Sequence, residues 1–189
     1  MPVLVLVLVR KALAAATIVV AASLALGGCT GSPAPTSTAT PKPAKTSALT
    51  GLLPSYPAKF TAASAKSETV AAADNIQALV AKTDILYVDD HAELVPATKS
   101  AASYYGVLRT INVAPALDPL EQAEAMERLL VAAGWTERDS ANQKGKYLAA
   151  LTSNPTGSRA WFLLVGGDST KPKSPVVTIQ LASPDLAAG

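Results

Sequence analysis

Apolar and polar positions follow different periods in different stretches of this chain, and each period predicts an element. Between about 58 and 82, Thr69, Ala72, Ala73, Ile76, Leu79 and Val80 recur at steps of three and four. That spacing predicts an amphipathic helix with a narrow apolar stripe, whose alanines let it lie close to a neighbour. Residues 85–100 fit either a short strand, through Ile85-Leu86-Tyr87-Val88, or an extension of the helix. Residues 104–113 alternate in part and are rich in aromatic and β-branched side chains, which predicts a strand ended by Pro115.

Asp118-Pro119-Leu120-Glu121 then opens a second helix. Asp118 suits the N-cap, Pro119 the first helical position, and Glu121 the return partner of a capping box. Leu120, Ala123, Met126, Leu129, Leu130 and Ala133 form its expected buried stripe, and Gly134 its left-handed stop before Trp135. Three β-segments follow at about 147–152, 160–165 and 176–182, separated by Asn154-Pro155-Thr156-Gly157 and Gly166-Gly167-Asp168-Ser169. A short strand at 135–138 leads into the first of them through Asn142-Gln143-Lys144-Gly145. The expected fold is α+β, with two helices packed on a small, mostly antiparallel sheet of about four strands.

One strand breaks the simple pattern. Trp161, Leu163 and Val165 point one way and Phe162 and Leu164 the other, and a strand apolar on both faces needs cover on both. The two helices are expected to share one face. The second face then either binds a partner, a ligand or a second copy, or is closed by Tyr87, Leu94 and Val95 acting as a lid. Phe162, Trp161 and Trp135 are the candidate binding residues. Both tryptophans have a competing place in the core, the ordinary site for a large aromatic ring.

The amino-terminal pattern is of another kind. Arg10 and Lys11 precede an apolar run over 12–26, followed by Gly27, Gly28 and Cys29. This is the layout of a secretory signal, and the run is shorter than the about 20 apolar residues a span requires. Residues 1–9 place apolar side chains ahead of the charges, whereas a start at Val9 would restore the usual order. Residues 30–57 are rich in Pro, Ser and Thr and cannot bury enough surface to offset the entropy of ordering. The expected organisation is a signal peptide over 1–28, a lipidated Cys29 with a linker to 57, and one α+β domain over 58–189.

Composition narrows the function classes. Arg10 and Lys11 account for the whole formal excess of +2, so the chain beyond the signal is balanced and lacks the basic footprint of a nucleic-acid binder. Cys29 is the single cysteine and His91 the single histidine, which excludes internal disulfides and multi-histidine zinc patterns, and a lipidated Cys29 would leave no free thiol. Asp89-Asp90-His91-Ala92-Glu93 gathers carboxylates and an imidazole, the ligand types of a hard-cation site, but an EF-hand pattern is absent, no second cluster supplies the missing ligands, and a solvated loop is the plainer reading. No Gly-x-Ser-x-Gly, Ser-x-x-Lys or phosphate-loop pattern occurs. No cofactor is expected.

Leu26-Gly27-Gly28-Cys29 resembles the lipobox of bacterial lipoproteins, and the signal, the spacer and the segment from about 104 to 185 are similar to small actinobacterial lipoproteins of unassigned function. The wider likeness rests on a capped helix ending in Leu-x-x-x-Gly-Trp, then several short strands. Ser183-Pro184-Asp185 stands where those proteins often carry a Pro-Cys pair. The resemblance implies cleavage before Cys29, acylation of its thiol, and anchoring at the extracytoplasmic face of the cell membrane. Two or three acyl chains make such attachment stable, one alone being marginal. The expected function is a non-catalytic binding or assembly module at the envelope, with an envelope protein or polymer as partner. The alternative is a small envelope hydrolase or cation-dependent protein using Asp89, Asp90, His91 and Glu93.

Overall fold

A computed structural model describes residues 49–97, 102–157 and 159–186. The expected signal peptide, Cys29 and most of the expected linker lie outside the described residues. The element order is α1 (Ala62–Gln77), β1 (Ile85–Pro96), β2 (Ser103–Val113), α2 (Pro119–Ala132), β3 (Thr136–Gln143), β4 (Lys146–Thr152), β5 (Phe162–Asp168) and β6 (Val176–Ala182). The strands form one six-stranded sheet in the order β1-β2-β6-β5-β4-β3, antiparallel at every pairing. The class is α+β, but the sheet is larger than the four strands expected. The added strands are the edges: β1, whose sequence was ambiguous, and β3, which runs well past Arg138.

Both helices form, but α1 ends at Gln77, short of the Leu79 and Val80 that its expected stripe included. Thr61 caps α1 in a reciprocal exchange with Ser64, and Ala65, Thr69, Ala72, Ala73 and Ile76 are buried. Asp118 caps α2 and Pro119 sits in its first turn, but the Asp118 carboxylate accepts from the Leu120 N–H at 2.8 Å. That bond is one residue earlier than a capping box uses, and it corrects the role expected of Glu121. Pro119, Ala123, Met126 and Leu130 face inward. Leu129 does not: it is 40% exposed, because the helix meets the sheet along a stripe too narrow to include it. Gly134 ends α2 at φ +108°, and Trp135 donates its backbone N–H to Leu130.

Both helices lie on the same face of the sheet. On the α1 side, the Trp161 indole N–H reaches the Thr69 hydroxyl at 3.3 Å. On the α2 side, a Cβ at Gly167 would stand 2.2 Å from the Pro119 carbonyl oxygen. Gly166, Gly167 and Asp168 therefore continue β5 instead of forming the expected turn. The bare backbone at Gly167 is what lets the start of α2 settle on the strand. Between these layers the core collects Val107, Ile111, Leu151, Leu163, Val165, Val177, Ile179 and Leu181, alternate residues of the four inner strands.

The folded unit begins before the linker boundary placed at residue 57. Leu52 is buried, and its carbonyl accepts the Trp135 indole N–H at 2.9 Å. Tyr56 and Phe60 stack at 4.5 Å and meet Trp161 edge-on at 6.0 and 5.7 Å. At the other end Ser183 ties the chain beyond β6 back to β2: its hydroxyl accepts from the Tyr105 N–H and its own N–H donates to the Tyr105 carbonyl, each at 2.9 Å.

Candidate functional site

The antiparallel register assigns every strand residue to a face. The face opposite α1 and α2, free of helices among the described residues, carries Tyr87, Asp89, His91, Glu93 and Val95 from β1, and Tyr104 and Leu108 from β2. It continues through Phe162 and Leu164 of β5 to Leu148 of β4. Phe162 is 51% exposed and Leu148 49%. Leu164 and Leu108 are half-buried among their strand neighbours. Tyr104, Ala160, Phe162, Ala182 and Pro184 line a groove of about 250 Å³ at one end of this face. It is smaller than the about 300–1,000 Å³ of usual small-molecule pockets and suits one inserted side chain.

Of the three aromatic candidates, only Phe162 is on this surface. Trp161 is 1% exposed and Trp135 2%. Buried to that extent, neither ring offers a face to a ligand, and both are corrected to core residues, their indole N–H groups bonded to the Leu52 carbonyl and the Thr69 hydroxyl. Tyr87, Leu94 and Val95 form no lid either. They belong to β1, and Tyr87 and Leu94 are exposed there, with Leu94 on the helical side of the sheet.

The acidic cluster is split by the pleat of the same strand. Asp89, His91 and Glu93 point to the open face, whereas Asp90 points to the helical one. His91 Nε2 lies 3.3 Å from Asp89 Oδ1, with both side chains more than half exposed. Among the described residues no group of three or more His, Cys, Asp or Glu side chains converges as a metal site. The His91–Asp89 pair lies in open water, with no dry enclosure in which to orient a substrate.

Asp90 has a structural partner that the sequence did not signal. Arg109 is 5% exposed on β2 and reaches Asp74 of α1 at 2.7 Å and Asp90 of β1 at 3.2 Å. Its Nε is buried without a hydrogen-bond partner among the described residues. One guanidinium thus ties the first helix to the edge strand. A second tie joins α2 to β4, where the Tyr147 hydroxyl donates to the Glu127 carboxylate. Burial, with that bond and the Glu127 charge behind it, pushes the Tyr147 pKa well above its ordinary value. On the open face Asp168 accepts from the Thr170 hydroxyl and N–H and pairs with Lys146 at 3.2 Å. The Thr170 hydroxyl bond is the main reason its carboxyl is held below the usual value.

No protein family matches the chain, and neither a curated protein nor a solved structure is significantly similar to it.

Proposed function

We propose that this protein is a non-catalytic binding module held at the extracytoplasmic face of the cell membrane through an acylated Cys29. The helix-free face of its sheet is the contact surface, and an envelope protein or polymer is its partner. One observation carries the binding half of the reading: an aromatic and two aliphatic side chains, Phe162, Leu164 and Leu148, lie together on a face that neither helix covers. Contiguous apolar patches on a soluble domain mark interaction sites. The groove beside Phe162 supports a partner that inserts a single side chain. The anchoring half rests on the signal layout and on Leu26-Gly27-Gly28-Cys29.

The two halves have separate tests. Full-length protein expressed in a bacterial host incorporates labelled fatty acid, and the Cys29→Ala variant does not; equal labelling removes the anchor. A Phe162→Ser/Leu148→Ser variant keeps its melting temperature within a few degrees, as surface substitutions do, but loses cross-linking to envelope components. Unfolding of that variant would show the face to be core and end the binding reading.

A further inference from the structure

The two edges of the sheet are built differently. Every residue of β3 is exposed, Glu137, Arg138 and Asp139 alternate in sign, and the register shifts between Glu137 and Asp139. Charges of both signs and a bulge are the usual protection of an edge against further pairing. β1 is 12 residues long, exposes Leu86, Tyr87 and Leu94, and bears Asp89, Asp90 and Glu93 with no lysine or arginine. It combines apolar side chains with charge of one sign.

The free backbone of β1 can be phased. The Ala97 N–H donates to the Ala102 carbonyl at 2.9 Å, just beyond the Pro96–Ser103 pair. In an antiparallel ladder, residues alternate between turning both backbone groups toward the partner strand and turning both away. Stepping back from Ala97, residues Val95, Glu93, His91 and Asp89 face β2, while Leu94, Ala92, Asp90 and Val88 turn N–H and C=O outward. None of those outward groups has a backbone partner among the described residues.

We propose that β1 takes up an extended, lysine- or arginine-bearing segment of a partner protein, which adds to the sheet as a further strand. This rests on the binding-module reading above and names the partner's chemistry. Main-chain bonds to Val88, Ala92 and their neighbours supply affinity, and alternate side chains supply selectivity. Asp89 and Glu93, four residues apart on the open face, select cations at the same spacing on the incoming strand, since opposite charges across a strand pair attract and like charges repel. On the helical side, the exposed Leu94 selects an apolar residue.

Charge also rules out the nearer occupants. A second copy would offer either its own acidic β1 or its β3, where Glu137 and Asp139 outnumber Arg138. The chain's own Lys42 and Lys45 are interleaved with Pro41 and Pro43, which lack the N–H that a ladder requires.

The test uses full-length protein in mild detergent and a blocked, fluorescent peptide, Thr-Val-Lys-Val-Thr-Val-Lys-Val-Thr, with a counterpart carrying glutamate in place of lysine. The lysine peptide is expected to bind at least tenfold tighter than the glutamate one, and Asp89→Lys/Glu93→Lys to reverse that order. N-methylation of one alternate set of peptide residues is expected to abolish binding and methylation of the other set to spare it, a result that does not depend on how any protein variant folds. Equal affinity for both peptides, no binding of either, or indifference to N-methylation overturns the proposal, the last by reducing it to surface charge. A dimer that Ala92→Pro dissociates, without affinity for the lysine peptide, makes a second copy the occupant and also overturns it. Failure here while Phe162→Ser/Leu148→Ser still abolishes envelope cross-linking defeats the β1 proposal alone and leaves the open-face reading intact.

Discussion

Gly167→Ala tests the closest approach in the fold. An added Cβ would stand 2.2 Å from the Pro119 carbonyl oxygen, 2.6 Å from its carbon and 2.9 Å from the Leu120 nitrogen. All three are backbone atoms, so no side chain can rotate away. Ordinary contact needs about 3.5 Å, so α2 must retreat by roughly 1 Å at its first turn. That turn is held by the Asp118 cap, and the helix beyond it by Met126 and Leu130 in the core. Overpacking of a well-packed site costs about 1–3 kcal/mol, and a clash confined to backbone belongs at the upper end. A loss of about 3 kcal/mol lowers Tm by on the order of 10 °C in a domain of this size. Gly106→Ala is the control, because its Cβ would meet Val95 Cγ2 at 3.4 Å, an ordinary contact. It should be neutral or stabilising by up to about 1 kcal/mol through the stiffer unfolded chain. Urea denaturation of both variants decides the matter. If Gly167→Ala is as stable as the parent, or if the two variants agree, α2 does not rest on β5 as described.

Leu130→Ala should cost about 2–5 kcal/mol by emptying a buried site, whereas Leu129→Ala, one residue earlier, should stay within about 0.5 kcal/mol; equal losses in urea titration would contradict the orientation of α2. Because the folded-state pKa of Tyr147 is raised, its stabilising effect is complete below the unfolded value of about 10 and is lost as pH rises above it. Tyr147→Phe should therefore lose less stability than the parent between neutral and strongly alkaline pH, and parallel curves would refute the Glu127 bond. Asp74→Asn/Asp90→Asn leaves a buried guanidinium uncompensated and should cost about 3–5 kcal/mol. Arg109→Met should cost less, since the two acids it frees are exposed enough to hydrate, and the reverse ranking by denaturant titration would mean that packing of the arginine stem dominates.

Local chemistry was legible where one segment alone decides the outcome. The stripe of α1 from Thr69 to Ile76, the Asp118 cap with Pro119, the Gly134 stop and the alternation of Val177, Ile179 and Leu181 all follow from neighbours within a few residues, and the structure has each of them. The misreadings lie where a distant segment decides. Gly166-Gly167 has turn composition, yet it lies in a strand because α2 needs that space. Leu129 fits the helical period, but the stripe that meets the sheet is narrower than the period allows. β3 has almost no strand propensity; it is carried by pairing with β4 through the tight turn at Lys144 and Gly145, with φ of 52° and 76°.

The acidic run at 89–93 was the hardest to place, for a related reason. Read as a loop, Asp89, Asp90, His91 and Glu93 are free to converge, and a cation site is the natural chemistry. Read as a strand, the same residues must alternate, so one carboxylate goes to each side and convergence is lost. The deciding partner, Arg109, lies on the neighbouring strand and is visible only once the register pairs it with Asp90. With Asp90 paired on the helical side, the acids of the run left on the open face are Asp89 and Glu93, spaced along an edge whose outward backbone groups have no backbone partner among the described residues. Such an arrangement suits a partner that brings both a hydrogen-bonding backbone and separated positive charges, and an isolated ion brings only the second. Once the strand is known, the chemistry of the run therefore shifts from coordination to recognition of an extended chain.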